Sequence, residues 1–150
     1  MAMKNLEDIK KLREATGAGV MECKEALAES NGDFDRAVQI IHERGLVKVE
    51  KRTGREAGAG LIESYIHNER IGVLVDVRAE TDFVVRSEPF RKLAHEIAMQ
   101  IAALAPADVE ELLKQPYIKN ESKPVEDVVK EIIAQVGENI KINKFSRMEL

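Results

Sequence analysis

Few residues of this chain have types and spacing that could support chemistry. Glu80 and Asp82 lie two residues apart, a separation at which two carboxylates can work as a general acid and a general base. No residue nearby offers the nucleophile or oxyanion donor that would complete such a site. We therefore do not expect catalysis by these side chains, and the chain is predicted not to be an enzyme.

The histidines and glycines give no sign of a metal or nucleotide site. His42, His67 and His95 have no spacing that places two ligands on one helix face. The segments Gly17-Ala18-Gly19 and Gly58-Ala59-Gly60 lack the third glycine of a dinucleotide-binding fingerprint, and no Lys-Ser or Lys-Thr pair follows a glycine loop as phosphate binding requires. The sequence predicts no cofactor, no metal ion and no bound nucleotide.

The 81–84 segment, Thr81-Asp82-Phe83-Val84, is the strongest candidate for a functional site. It lies between an apolar stretch that ends at Ala79 and an amphipathic stretch that begins at Pro89. Loops on rigid scaffolds often carry function, and exposed aromatic residues dominate many binding energies, so this segment indicates a contact surface. The alternative is that Phe83 is buried in the core of its own domain, which is the commoner fate of phenylalanine.

The composition limits the class of protein. The 150 residues are 44% hydrophobic and 33% charged, which is typical of a soluble globular protein long enough to bury a core. No apolar run reaches the roughly 18 residues that a membrane helix needs, and residues 1–12 have the features of neither a signal peptide nor a transit peptide. We therefore expect a cytoplasmic protein that does not associate with membranes.

The cysteine content argues against an intrachain disulfide, and the net charge argues against direct binding of nucleic acid. Cys23 is the only cysteine, so no intrachain disulfide can form, and its place on an apolar helical stripe predicts a buried packing residue. The net charge of −4 gives no general attraction to phosphates, so nucleic acid is not expected as a direct partner.

Residues 1–50 are predicted to form a compact three-helix module. Apolar residues recur at helical spacing in three stretches, and glycine-containing segments at 16–19 and 30–33 separate them. Asp33 is expected to cap the third helix and Gly45 to end it. Modules this small have little core and generally serve for docking. The apolar positions are Leu6, Ile9 and Leu12; Val20, Cys23, Ala26 and Leu27; and Phe34, Ala37, Val38 and Ile41.

A charged stretch, Lys48 to Arg55, is predicted to connect this module to a second domain, with residues 51–58 as the linker. The alternative is that its cations bind an anion, and RNA binding stays open as a further hypothesis. Such binding would weaken steeply as the salt concentration rises. The basic residues in question are Lys48, Lys51, Arg52 and Arg55.

Residues 59–150 are predicted to form an α+β domain with a three-stranded antiparallel sheet and helices packed on one face. From Gly60 onward two strand-like stretches, Leu61 to His67 and Ile71 to Ala79, are separated by a short turn. Helices are predicted at Pro89 to Leu104 and Val125 to Val136, a short turn at Val109 to Lys114, irregular structure at 115–124, and a third strand at Asn139 to Phe145. This order allows every apolar stripe to be buried against one sheet.

Three motifs of the chain resemble the elongation factor Ts family of translation factors. They are Leu12 to Lys24, with the sequence LREATGAGVMECK, Glu80 to Val84, with the sequence ETDFV, and Gly137 to Ile140, with the sequence GENI. Their order, and their spread over almost the whole chain, make the resemblance far more specific than any one motif. The chain is therefore similar to the short members of this family, which have a single core.

The resemblance implies a guanine-nucleotide exchange factor that promotes GDP release from elongation factor Tu during translation elongation. In the family the N-terminal three-helix module is similar to a ubiquitin-associated domain and docks on the nucleotide-binding domain of that partner. Carried over to this sequence, the docking residues are Arg13, Val20, Met21 and Lys24. The other partner-binding residues are Thr81, Asp82, Phe83 and Val84, of which Asp82 and Phe83 would intrude near the partner's magnesium and phosphate site.

The chain is shorter than the family members that carry two related halves of the core. It has one such half and no internal repeat, and residues 106–124 are too few for the helical hairpin of some members. Short members pair two chains, so the resemblance implies a homodimer, formed near the sheet edge at Ile140 to Phe145 and the apolar strand Ile71 to Val77. The rival interpretation is an adaptor that docks through the three-helix module and has no exchange activity.

Overall fold

A computed structural model describes the backbone of residues 2–150 and the side chains from Leu6 onward. The chain divides into two compact units, the first ending at Glu50 and the second spanning Lys51–Leu150. The first unit is helical and the second combines sheet and helix, so the predicted α+β class is confirmed. Within residues 2–150, no helix has the length and apolar character needed to cross a membrane.

The first unit is built from α1 (Ala2–Thr16), α2 (Val20–Glu29) and the larger part of α3 (Phe34–Arg52). Apolar residues three and four positions apart place one stripe of each helix inside, and Leu12, Cys23 and Ala37 are fully buried. Leu6 and Val20, which the apolar pattern places on helix faces, are 67% and 49% exposed, and Val20 is also one of the predicted docking residues. The core is therefore smaller than the apolar pattern indicates.

The ends of α3 were predicted with mixed success. Asp33 Oδ1 accepts a hydrogen bond from the Arg36 N–H at 3.0 Å, so the predicted cap is confirmed. The prediction that Gly45 ends the helix is wrong, since α3 continues to Arg52. Residues 53–58, which follow, have neither helix nor strand.

Tertiary contacts beyond Gly45 explain why α3 passes through that residue. A glycine inside a helix costs only about 1 kcal/mol relative to alanine. One turn later, Lys48 Nζ lies 2.9 Å from Glu22 Oε1 on α2, and Val49 is 4% exposed. These tertiary contacts offset the low helix propensity of a single glycine.

The second unit contains a three-stranded antiparallel sheet, as predicted. The strands lie in the order β1-β2-β5. The elements follow one another as β1 (Ala59–His67), β2 (Ile71–Ala79), α4 (Asp82–Val85), α5 (Glu88–Leu104), α6 (Val109–Lys114), β3 (Pro116–Tyr117), β4 (Asn120–Pro124), α7 (Val125–Val136) and β5 (Ile140–Glu149). Because β2 is central, both of its hydrogen-bonding edges are occupied, and only its exposed face is available to a second chain.

The two faces of this sheet differ in polarity and in cover. On one face α5 packs against β1 and β2, and Val73, Val75 and Val77 are at most 2% exposed. We call the opposite side the open sheet face. Its exposed apolar residues are Ile62, Ile66, Leu74 and Met148, which are 71%, 65%, 54% and 75% exposed. The sheet is thus covered on one side only, in agreement with the prediction of helices packed on one face.

Residues 116–124 form a hairpin of β3 and β4, so the prediction of irregular structure is wrong. The buried Gln100 of α5 holds this hairpin. Its Nε2 donates to the Pro116 carbonyl oxygen at 3.1 Å, and its Oε1 accepts from the Ile118 N–H at 2.9 Å. The Tyr117 hydroxyl donates to Glu96 Oε2 at 2.7 Å. Side chains distant in sequence therefore order a segment that its prolines mark as irregular.

Strand β5 extends to Glu149, beyond the predicted end at Phe145. Arg147 supports this extension, because its Nε donates to the Ile101 carbonyl oxygen at 3.1 Å and its Nη2 to the Ala102 carbonyl oxygen at 3.0 Å. Both carbonyls lie near the end of α5. The last residues of β5 are thus fastened to a helix rather than left as a free end.

Candidate partner-binding site

Most of the 81–84 segment belongs to the single helical turn α4 (Asp82–Val85), where the sequence indicated a short loop. Thr81 has an extended backbone, with φ −130° and ψ 153°, and its Oγ1 accepts a hydrogen bond from the Val84 N–H at 3.4 Å. This is the arrangement of a helix N-cap. Val84 and Val85 are 5% and 6% exposed, so two adjacent valines anchor the turn in the core.

Phe83 points away from this anchor and is 84% exposed. The alternative that Phe83 is buried in its own core is therefore wrong. Thr81 and Asp82 are exposed beside it, whereas Val84 is buried. Three of the four predicted residues thus lie on one accessible surface, and the fourth supports them from below.

Two glutamates hold the beginning of α4 to the beginning of β5. Glu138 Oε1 accepts from the Thr81 N–H at 2.9 Å, and Glu138 Oε2 accepts from the Thr81 hydroxyl at 2.8 Å. In return, Glu80 Oε2 accepts from the Asn139 N–H at 2.8 Å. Each glutamate binds the residue that follows the other glutamate. We call Glu80, Thr81, Glu138 and Asn139 the glutamate clasp.

The clasp also reaches the segment that precedes β1. Asn139 is 6% exposed, and its Nδ2 donates to the carbonyl oxygens of Arg55 at 2.8 Å and Thr53 at 3.4 Å. Arg55 Nη1 lies 3.8 Å from Glu80 Oε2. The chain reaches this position through Gly137, which ends α7 with φ +78°, a conformation that favours glycine.

Sequence reasoning found both motifs of the clasp but not the contact between them. The GENI motif was interpreted only as the start of a strand. Ala79 and Ile140 are partners in the register of β2 and β5, and this pairing brings Glu80, which follows Ala79, beside Asn139, which precedes Ile140. The sequence shows polar residues at the end of one strand and at the start of another. That these residues contact each other can be inferred only once the register of the two strands is known.

The four predicted docking residues lie at one end of the first unit. Arg13 is in the last turn of α1, and Val20, Met21 and Lys24 are in the first part of α2. All four are exposed, with Val20 at 49% and Met21 at 64%. Beneath them Cys23 is buried, and burial raises the pKa of its thiol. This predicted packing role of Cys23 is confirmed.

The structure does not favour the RNA-binding hypothesis for the charged stretch. Lys48 pairs with Glu22 at 2.9 Å, Arg52 Nη1 donates to the Ile133 carbonyl oxygen at 3.3 Å, and Arg55 lies near Glu80. The carboxylates beside Lys48 and Arg55 offset part of the positive charge that the stretch presents to a phosphate chain, whereas Arg52 contacts a neutral carbonyl oxygen.

The geometry is that of a surface for noncovalent contact. It offers an exposed phenyl ring on a turn that is anchored by buried valines and held by hydrogen bonds at its start. Among the described side chains, no group of three or more His, Cys, Asp or Glu residues could hold a metal ion. The class defined by fold and site is thus a two-unit α+β protein with a surface suited to binding another macromolecule.

Comparisons with known proteins identify the family. Residues 80–150 match the family model described as elongation factor TS. The chain is 40% identical to elongation factor Ts of Coprothermobacter proteolyticus over 188 aligned positions, which cover 95% of each chain. It is 39% identical to elongation factor Ts of Fervidobacterium nodosum, with the same coverage. It is 38% identical to that of Rippkaea orientalis, over all of this chain and 79% of the relative. The chain belongs to the elongation factor Ts family.

This membership supports a role as a translation elongation factor. The alignment with the Coprothermobacter protein has 188 positions, and this chain has 150 residues. That relative therefore contains residues that have no counterpart here. The matched region includes the 81–84 segment and the complete glutamate clasp, which lie within residues 80–150.

Proposed function

We propose that this protein is a guanine-nucleotide exchange factor that promotes GDP release from elongation factor Tu. The observation that carries the proposal is the exposure of Phe83. Its side chain is 84% exposed, although the two residues that follow it in the same turn are buried. Folding stability alone does not explain why an apolar ring is exposed to solvent on a turn that is anchored in the core. Together with the family membership, it is well explained as a contact residue.

In the proposed mechanism the phenyl ring of Phe83 enters an apolar crevice of the partner and holds a helix there in a displaced position. Burial of an aromatic side chain supplies the binding free energy for this displacement. Asp82, exposed beside it, anchors the turn by accepting hydrogen bonds from the partner. Displacement of the helix disturbs the shell of the partner's magnesium ion, and the phosphates of GDP are then held less strongly.

Exchange by this route is a linkage effect and requires no bond to be made or broken. The factor and GDP each weaken the affinity of the partner for the other by the same coupling free energy. The ternary complex therefore releases one of the two. The protein acts by binding rather than as an enzyme in the usual sense, and the role implies a cytoplasmic location.

The first unit supplies the docking contact in this proposal. Val20 and Met21 offer exposed apolar area, and the flanking cations of Arg13 and Lys24 suit an acidic surface on the partner's nucleotide-binding domain. Apolar contact provides most of the affinity in such patches, whereas rim charges mainly steer association. Docking and nucleotide release are thereby assigned to different residues.

Stopped-flow release of a fluorescent GDP analogue from elongation factor Tu tests the proposed function. We expect the release rate to rise with the concentration of this protein and to reach a plateau. Binding without any acceleration at saturating concentration would contradict exchange and would leave the adaptor interpretation.

We also propose that two copies of the chain pair through the open sheet face. The exposed apolar residues Ile66, Leu74 and Met148 lie on neighbouring strands, where Ile66 is paired with Gly72 and Gly72 with Met148. Asp76 and Lys144 are partners in the register of the same face. A two-fold axis that lies parallel to this face, between the two copies, would bring their apolar rows together and opposite charges near one another.

Sedimentation equilibrium at micromolar concentration tests the pairing. We expect a dimer for the native chain and a monomer for Leu74→Asp, because the new carboxylate would be buried without a partner. Val47→Asp, which alters an α3 residue that is 52% exposed, serves as the control and should remain dimeric. A native chain that sediments as a monomer would contradict the dimer without affecting the exchange proposal.

A further inference from the structure

We propose that Glu138 is a positioning residue that fixes the direction of Phe83 for nucleotide exchange. The proposal rests on the exchange function argued above. It assigns a role to a side chain that lies 57 residues from Thr81 in the sequence and that belongs to the junction of α7 and β5 rather than to the contact surface.

The hydrogen bonds of Glu138 orient the Thr81 hydroxyl. Glu138 Oε2 lies 2.8 Å from Thr81 Oγ1, and because a carboxylate can only accept, the hydroxyl proton must point toward it. A lone pair of Oγ1 is then free to accept from the Val84 N–H at 3.4 Å. Glu138 thus sets the hydroxyl in the orientation that caps α4.

The cap matters for Phe83 because the ring itself has little to hold it. At 84% exposure, its direction follows from the backbone of α4, a helix of four residues. One helical turn is far too short to persist alone in water. On its C-terminal side the turn is fixed by Val85 and by the Ser87 hydroxyl, which donates to the Val84 carbonyl oxygen at 2.6 Å. On its N-terminal side it is fixed by Thr81 and Glu138.

A preformed turn lowers the entropy lost when the ring enters the partner. Without Glu138, the turn has to be ordered during the displacement step, so the maximal rate of GDP release falls. Docking through Val20 and Met21 does not involve this step, and the concentration for half-maximal rate changes little. A purely structural role would instead lower the amount of folded protein, which raises the apparent half-saturating concentration and leaves the maximal rate unchanged.

The test uses the full chain with Glu138→Ala and Glu138→Gln, and Glu110→Ala is the matched control. Glu110 also forms a close hydrogen bond, with Lys114 Nζ at 2.8 Å, but its side chain is 78% exposed on α6. We expect Glu138→Ala to lower the maximal release rate about tenfold, which corresponds to about 1.36 kcal/mol in activation free energy. The half-saturating concentration should stay within about twofold of the native value. Glu138→Gln should be intermediate, since its Oε1 can still accept from the Thr81 N–H. The Glu110 variant should match the native chain.

Amide hydrogen exchange of Thr81 in the free protein provides a second readout that needs no partner. We expect Glu138→Ala to speed this exchange at least tenfold while the amide of Val75, in the central strand, keeps its protection. In a Thr81→Val background, which lacks the hydroxyl, Glu138→Ala should have a smaller effect on the release rate than in the native background.

Any of the following results would overturn the inference. Unchanged Thr81 protection would show that Glu138 does not hold the turn, and lost protection with a native release rate would show that the turn does not govern Phe83. Loss of protection throughout β2 would show a general structural role. If the native chain itself fails to accelerate release, the exchange function fails, and the positioning role fails with it. A native chain that accelerates release beside an equally active Glu138→Ala variant overturns the positioning role alone.

Discussion

The apolar residues at the start of α2 and the phenyl ring on α4 are both exposed, but different means hold them in place. Val20 and Met21 lie on a ten-residue helix whose own periodicity separates a buried face from an exposed one. Phe83 lies on a single turn that depends on buried valines beside it and on Glu138 from a distant segment. The docking residues therefore lie on a helix that packs its buried face in the core of its own unit, whereas the turn that carries Phe83 also requires hydrogen bonds from a segment distant in the sequence.

This contrast extends to the cores of the two units. The first core is formed by the faces of short helices, and the second by α5 packed on a sheet. Leu12 and Leu93 are 0% and 1% exposed and represent the two cores. The variants below test whether the units and their surfaces act separately, and they are ordered from the largest expected effect to the smallest.

Leu93→Ala and Leu12→Ala should each destabilise one unit by about 3 kcal/mol, because truncation of a buried leucine leaves a cavity. We expect calorimetry to resolve two unfolding transitions, with Leu12→Ala shifting only one and Leu93→Ala only the other. A single transition that both variants shift equally would mean that the units unfold together.

Phe83→Ala should lower the maximal rate of GDP release about 30-fold, the effect of losing about 2 kcal/mol from an aromatic contact. The half-saturating concentration should change less than about threefold, since the first unit still docks. Leu104→Ala is the control, because Leu104 is also exposed, at 44%, but lies at the far end of α5. Equal losses in rate and in docking would contradict the division of labour.

Val20→Asp combined with Met21→Asp should raise the half-saturating concentration about tenfold, because two carboxylates would have to lose water in an apolar contact. The maximal rate should stay within about twofold of the native value, since Phe83 is unchanged. Titration of the release rate against factor concentration measures both quantities. Val47→Asp, an exposed substitution on α3, should leave both unchanged. A drop in maximal rate with unaltered half-saturation would reverse the assignment.

The second unit should lose a small part of its stability in acid. Hydrogen bonds from Arg78 and Asn143 lower the pKa of Asp76. For Glu96, burial acts in the opposite direction, but hydrogen bonds from Lys119 and Tyr117 outweigh it and lower the pKa. A carboxyl whose pKa is lower when folded stabilises the protein above its unfolded pKa, near 4, and this contribution is lost as the pH falls through the folded value.

Asp76→Asn should reduce this acid sensitivity. We expect the loss of stability between pH 5 and pH 3 to shrink by about 0.5 kcal/mol, since Asp76 lies on a partly solvated face. Urea unfolding at several pH values, followed by the transition of the second unit, measures the change. A steeper loss for the variant would show that another carboxyl dominates in this range.

Local patterns predicted much of the fold because they are fixed by the period of each element. The stripes of α5 and α7 each place apolar residues on one side of a helix, and that requirement is visible in the sequence. The cap at Asp33 is equally local. The 81–84 segment was found as a candidate because it stands between two such elements.

Long-range contacts explain where prediction failed. Gly45 signals a helix end, but packing of Val49 carries α3 onward. The prolines at 116 and 124 signal irregular structure, but Gln100 pairs with the backbone of a hairpin. Whether Phe83 is buried or exposed depends on how its turn sits on the core, which no short pattern specifies.

The sequence by itself determined most of the elements, the class of fold and the family, because these depend on residue periodicity and on motifs that are contiguous in the chain. Only the tertiary structure decided that the ETDFV and GENI motifs meet. The antiparallel pairing of Ala79 with Ile140 brings two glutamates, each followed by a backbone donor, to adjacent strand ends. That register is set by the burial of one side of the strands beneath the helices, and so the support of Phe83 by Glu138 arises only when the sheet has formed.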